Sequence, residues 1–65
     1  MKEVKISSFR KIVVKKTRYR GQDRLDIRTY LETPTFTGYT RKGINIPIEN
    51  AEELARAILA ELEEE

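Results

Sequence analysis

The side chains that could do chemistry in this chain are cations and aromatic rings. Lys15, Lys16, Arg18, Tyr19 and Arg20 are bunched within six positions. Arg28 and Tyr30 follow, and Phe36, Tyr39, Arg41 and Lys42 come after them. Interleaved cations and rings suit a single-stranded nucleic acid, which needs positive charge for its phosphates and ring faces for its bases, each stack being worth ~1–3 kcal/mol. The ordinary alternative for Tyr19 and Tyr30 is half-buried sheet packing, which strands favour. For Phe36 it is an anchor from a loop to the core.

The 65 residues include no Cys and no His. That excludes a thiol nucleophile, an ordinary zinc site and a side chain titrating near neutrality. Asp23 belongs to a turn, and Asp26 stands between Arg24 and Arg28 on a strand, where cross-strand ion pairing is its ordinary role. Gly21, Gly38 and Gly43 are too scattered for a phosphate loop, and no dinucleotide fingerprint occurs. The expectation is a binding protein without catalytic residues, metal or cofactor.

The net charge of +2 conceals a strong asymmetry. Residues 1–48 hold twelve Lys/Arg against four Asp/Glu, a net of +8, whereas residues 49–65 hold Arg56 against seven acids, a net of −6. A basic body points to a polyanionic partner. A solvated, thermostable surface rich in Lys and Glu would show a similar balance. The first five residues lack an apolar signal region and no stretch approaches the ~20 apolar residues of a membrane span. A soluble intracellular protein is expected, with no membrane partner.

These side chains must be positioned by strands. Val4 and Ile6 alternate with Lys5 and Ser7, a short first strand. Phe9 to Tyr19 forms a second, in which the consecutive Ile12-Val13-Val14 marks either a bulge or a central strand apolar on both sides. Arg20-Gly21-Gln22-Asp23 is a turn. From Arg24 to Glu32 the alternation is clean, with Leu25, Ile27, Thr29 and Leu31 on one face and Arg24, Asp26, Arg28 and Tyr30 on the other. Pro34 and Gly38 punctuate a connection over 33–39, and Tyr39 to Ile46 makes the fourth strand, ended by Pro47.

A helix closes the chain, with Asn50 as its N-cap and Glu53 completing a capping-box pattern. Ala51, Leu54, Ala55, Ile58, Leu59 and Leu62 fall within an arc of about 140°, opposite Glu52, Arg56 and Glu63. Ala57 and Ala60 flank the stripe as small residues that admit a close neighbour. The order is ββββα over one domain, residues 1–65: an α+β fold with a curved four-stranded antiparallel sheet. One helix covers one sheet face, leaving the face with Arg and Tyr exposed. A core this small is marginal alone, and no disulfide or metal supplements it, so homo-oligomerisation is expected.

Leu25-Asp26-Ile27-Arg28-Thr29-Tyr30, followed by Arg41-Lys42-Gly43-Ile44-Asn45-Ile46, resembles the C-terminal domain of the transcriptional coactivator positive cofactor 4 family. There an Asp-Ile-Arg-x-Tyr strand precedes an Arg-Lys-Gly-Ile-Ser-Leu strand and a final helix. The resemblance spans roughly Val4 to Ile58. It implies a homodimer paired through its helices, here by Leu54, Ile58, Leu59 and Leu62, with opposed channels for single-stranded DNA or melted duplex. It also implies a role in transcription, with the transcription machinery as a partner, or in protecting unpaired strands.

By position, Tyr19 falls where the family has a base-stacking aromatic and Arg20 where it has a lysine. Arg28, Arg41 and Lys42 fall on basic positions lining the channel. Two departures stand out: Gln22 replaces a turn lysine, and Leu31 replaces a tryptophan, leaving Phe36 and Tyr39 as aromatic candidates for its role. The expected binding set is therefore Lys15, Lys16, Arg18, Tyr19, Arg20, Arg28, Tyr39, Arg41 and Lys42. RNA remains open as the ligand, as does a dimeric module docking acidic proteins. No counterpart of the eukaryotic N-terminal regulatory extension is seen, which implies a prokaryotic, archaeal or phage version or a trimmed chain. The expected location is accordingly cytoplasm or nucleoid in a prokaryote and nucleus in a eukaryote.

Overall fold

The computed structural model describes residues 1–64. Strands β1 (Lys2–Lys5), β2 (Arg10–Tyr19), β3 (Gln22–Thr33) and β4 (Phe36–Pro47) form one antiparallel sheet in sequence order and lead into helix α1 (Ile48–Glu63). The ββββα expectation is met.

Register separates the two sheet faces, because directly paired residues share a face. Val14, Ile27 and Ile44 line up across β2, β3 and β4, as do Ile12 with Thr29 and Leu25 with Ile46. The opposite face carries the rows Lys15–Asp26–Asn45, Val13–Arg28–Gly43 and Lys11–Tyr30–Tyr39. The run Ile12-Val13-Val14 is a two-sided strand without a bulge: β2 lies between β1 and β3, and its pairing is continuous. Val13, on the polar face, is only 2% exposed and is the one fully buried apolar side chain among the described residues.

Several boundaries differ from those read in the sequence. The turn read over Arg20–Asp23 is only Arg20-Gly21, because Gln22 and Asp23 already pair with Tyr19 and Arg18 as the start of β3, and β1 ends at Lys5, before Ile6. The connection placed at 33–39 is only Pro34-Thr35; β4 begins at Phe36 and runs straight through Gly38. Thr33 closes this hairpin, its Oγ1 accepting the Phe36 N–H at 2.9 Å and facing the Phe36 carbonyl at the same distance. The helix begins two residues before Asn50, with Pro47 as its N-cap and no side-chain cap. The physical reason is that Pro47, at φ −58° and ψ 147°, both ends the ladder and presets the turn into the helix.

Gly43 holds β3 and β4 together at close range. A Cβ there would sit 2.5 Å from the Ile27 carbonyl oxygen and 3.0 Å from Cγ of Arg28. Just beyond it the pairing slips: Arg28 faces Gly43 and Tyr30 faces Tyr39, so Thr40, Arg41 and Lys42 stand opposite Thr29 alone. This bulge sits on an edge strand and carries two cations.

The helix touches only β3 and β4, and its half-buried residues are Ile48, Ala51 and Leu54. Farther along, Ile58, Leu59 and Leu62 are 54%, 60% and 76% exposed. The chain has a Cα radius of gyration of 13.7 Å, against ~10.7 Å for a compact chain of this length. Its accessible surface is 5688 Å², against ~4,300 Å² for a compact monomer of 7.6 kDa. No helix among the described residues is long and apolar enough to cross a membrane.

Candidate nucleic-acid interface

The first hairpin builds the centre of the site. Arg20 and Gly21 form its two-residue loop, closed by the Tyr19–Gln22 pair, and both have positive φ, 51° and 78°. Positive φ at both positions marks a primed turn, whose twist matches that of the flanking strands. Gly21 adopts it freely, whereas Arg20 does so at a cost. The turn leaves the Tyr19 ring 61% exposed, with the Arg20 guanidinium 5.3 Å from its centroid. Arg18, one residue back, is 3.9 Å from Asp23 across the hairpin and keeps most of its side chain in solvent.

An open groove runs from this hairpin along the polar sheet face. Lys15, Arg18, Tyr19, Arg20 and Arg28 line it, joined by Thr17, Gln22, Arg24, Asp26 and Asn45. No helix residue contributes to it. Asp26 is 4% exposed, the one buried charged residue among those described, and Arg28 Nε donates to both its carboxylate oxygens at 3.1 Å. That pairing makes Asp26 the groove's internal counterion; the ion pair runs along β3, two residues apart, and not across strands as its position on the sheet suggested.

Farther along the same face the aromatics are interleaved with lysines. Tyr30 and Tyr39 pack edge to face, centroids 5.0 Å apart at 79°. Lys15 Nζ lies 5.5 Å from the Tyr39 centroid and Lys11 Nζ 4.8 Å from that of Tyr30. Such pairs stabilise the rings by roughly 0.5–1.5 kcal/mol beyond their burial. Tyr30 is thus half-buried sheet packing, while Tyr39 stays 43% exposed. The Lys11 ammonium is 3.1 Å from Glu3 and 3.9 Å from Glu32. The hydrogen bond that the ammonium donates to Glu3, together with the charges of Glu3 and Glu32, outweighs desolvation and raises its pKa above the ordinary lysine value.

Not every cation of the expected set shares this groove. Lys16 pairs with Leu25 and stands on the apolar-side face, opposite to Lys15. Arg41 and Lys42 line a separate depression with Arg10, Thr29, Leu31 and Thr40. Leu31 is therefore beside these two cations and away from Tyr19. Phe36, read as a loop anchor, is instead the first residue of β4 and 48% exposed. Of the expected helix contacts, Leu54 is already half-buried against its own chain, whereas Ile58, Leu59 and Leu62 are not.

Thr17, Gln22, Arg24, Asp26 and Asn45 line the groove but fall outside the expected binding set, and Arg24 and Asn45 are bonded to each other. Arg24 donates from Nε to the Asn45 side-chain oxygen and from Nη2 to the Asn45 carbonyl at 3.1 Å. Asn45 Nδ2 in turn donates to Asp26 Oδ1 at 3.2 Å. The outward position of Asn45 was readable from the alternation of β4; its partners come from a register 19 and 21 residues away.

No protein-family model matches the sequence, and no curated protein matches it. Among solved structures, the fold matches that of a PC4 homolog from Burkholderia pseudomallei K96243 with a TM-score of 0.85. The two are 24% identical, and the match covers all of this chain and 89% of that one. At this identity the likeness establishes the shared fold.

Proposed function

We propose that this chain binds single-stranded DNA with little sequence preference, as a homodimer, in transcription regulation or coactivation or in the protection of unpaired strands. The observation that carries the reading is the groove itself. Tyr19, an exposed ring beside the guanidinium of Arg20, opens onto a bare sheet face lined by Lys15, Arg18 and Arg28. A ring for a base and cations for flanking phosphates are the two requirements of sequence-tolerant strand binding. The positive cofactor 4 resemblance of the motifs and the PC4-homolog fold agree with it.

In this reading Lys15, Arg18, Arg20 and Arg28 contact phosphates within the groove, and Tyr19 stacks on a base. Tyr39 offers a second ring. Arg41 and Lys42, on the bulged edge strand, extend the positive surface, and Lys16 adds long-range charge from the other face. The exposed Ile58, Leu59 and Leu62 pair the helices of two protomers. The surface of each protomer exceeds that of a compact monomer by ~1,400 Å², more than the ~800 Å² per partner of a standard interface.

Tyr19→Ala tests the site. The expected result is a roughly 5- to 150-fold loss of affinity for oligo-dT, the equivalent of one stack, with an unchanged fold by amide NMR. Unchanged affinity, or affinity lost only because the variant unfolds, overturns the stacking role.

A further inference from the structure

Arg24, Asn45, Asp26 and Arg28 form one unbroken hydrogen-bonded row across β3 and β4 at the floor of the groove. Arg24 donates to Asn45, Asn45 donates to Asp26, and Arg28 donates to Asp26 from the other side. Both arginines line the open groove. Arg28 uses Nε for Asp26, and Arg24 uses Nε and Nη2 for Asn45. The Nη groups of Arg28 and Nη1 of Arg24 make no hydrogen bond to the protein among the described residues.

We infer that this row is a phosphate clamp, in which Asp26 and Asn45 are positioning residues that hold Arg28 and Arg24 with donors presented to the groove. Arg24 thereby becomes a further phosphate-binding residue. The inference rests on the proposed strand-binding function and deepens it. Arg28, anchored through Nε, keeps both Nη groups available for an oxyanion, and Arg24, held through Nε and Nη2, keeps Nη1. It has also surrendered rotamer freedom before the ligand arrives, which strengthens binding. Arg24 and Arg28 are four residues apart on one strand, about 13 Å along β3, so they engage two phosphates.

The inference opposes simple electrostatics, and that makes it testable. Asp26→Asn removes a negative charge from a groove that binds an anion, so charge alone predicts tighter binding. A clamp predicts the reverse, because Arg28 loses its anchor. The experiment titrates oligo-dT into the full chain and the variant at several salt concentrations, with the fold monitored by amide NMR. The clamp predicts a three- to tenfold loss of affinity for Asp26→Asn, and a salt slope shallower by about one phosphate contact.

Asn45→Ser, which leaves every charge in place, serves as the second variant and covers the case in which Asp26→Asn does not fold. It is expected to weaken binding by a similar factor and to flatten the slope. Equal or tighter binding by either folded variant overturns the clamp while leaving strand binding intact. If the unaltered chain binds no oligo-dT, the underlying function fails and the clamp fails with it.

Discussion

Ile58→Glu puts the helix-paired dimer to a quantitative test. Ile58, Leu59 and Leu62 are 54%, 60% and 76% exposed in the protomer. Fully burying such a side chain is worth about 1.5–3 kcal/mol. Covering the exposed fractions of all three is therefore worth about 3–6 kcal/mol per protomer, and twice that for a symmetric pair. Association costs about 4–15 kcal/mol. The stripe thus roughly offsets that cost, with the half-exposed Val4 and Ile44 of the apolar sheet face available to add to it.

In a two-fold interface the substitution acts twice. Each copy forfeits about 1 kcal/mol of apolar burial and carries a carboxylate whose desolvation costs several kcal/mol more. The dimer dissociation constant should rise at least about a thousandfold, equivalent to roughly 4 kcal/mol. Sedimentation equilibrium or size-exclusion chromatography with light scattering reads the result directly. A dimer undisturbed by Ile58→Glu, or an unaltered chain that is monomeric at high micromolar concentration, refutes helix pairing.

Two further outcomes follow from the sheet. Gly43→Ala places a methyl carbon 2.5 Å from a β3 carbonyl; β4 must yield there, and a loss of about 1–3 kcal/mol in urea denaturation is expected. An unaffected midpoint would show that the close approach is not required. Lys11 has its pKa raised by Glu3, so its contribution to stability is fully present below the ordinary lysine pKa and is lost as pH rises through the higher folded value. The stability difference between the unaltered chain and Glu3→Gln should thus hold through neutral pH and shrink in the alkaline range above 10.5. A difference constant across that range in thermal melts would contradict it.

The strands were legible because each side chain's face follows from a period of two. Leu25, Ile27 and Leu31 announce the apolar face, whereas the run Ile12-Val13-Val14 fits a bulge as well as a central strand, and only the continuous pairing of β2 decides between them. Alternation also separates Lys15 from Lys16, although their adjacency in sequence suggests one cluster. The second connection was misplaced because Pro34 and Gly38 carry the same breaker signal, yet only Pro34 is in the turn. Gly38, at φ 150°, is a strand residue. Asn50 offered a better cap than anything before it, but the helix start was set by Pro47. The three-against-one bulge at Thr40–Lys42 and the Arg24–Asn45–Asp26–Arg28 row depend on register between distant segments. No local spacing encodes them.

The central claim is that the bare, basic face receives an unpaired strand. Competition between oligo-dT and a matched duplex for the unaltered chain, at 50 mM and 200 mM salt, tests it most directly. The account predicts preference for the single strand at both concentrations, with affinity falling steeply as salt rises because counterion release supplies much of it. Affinity for duplex equal to or above that for the single strand would contradict the account.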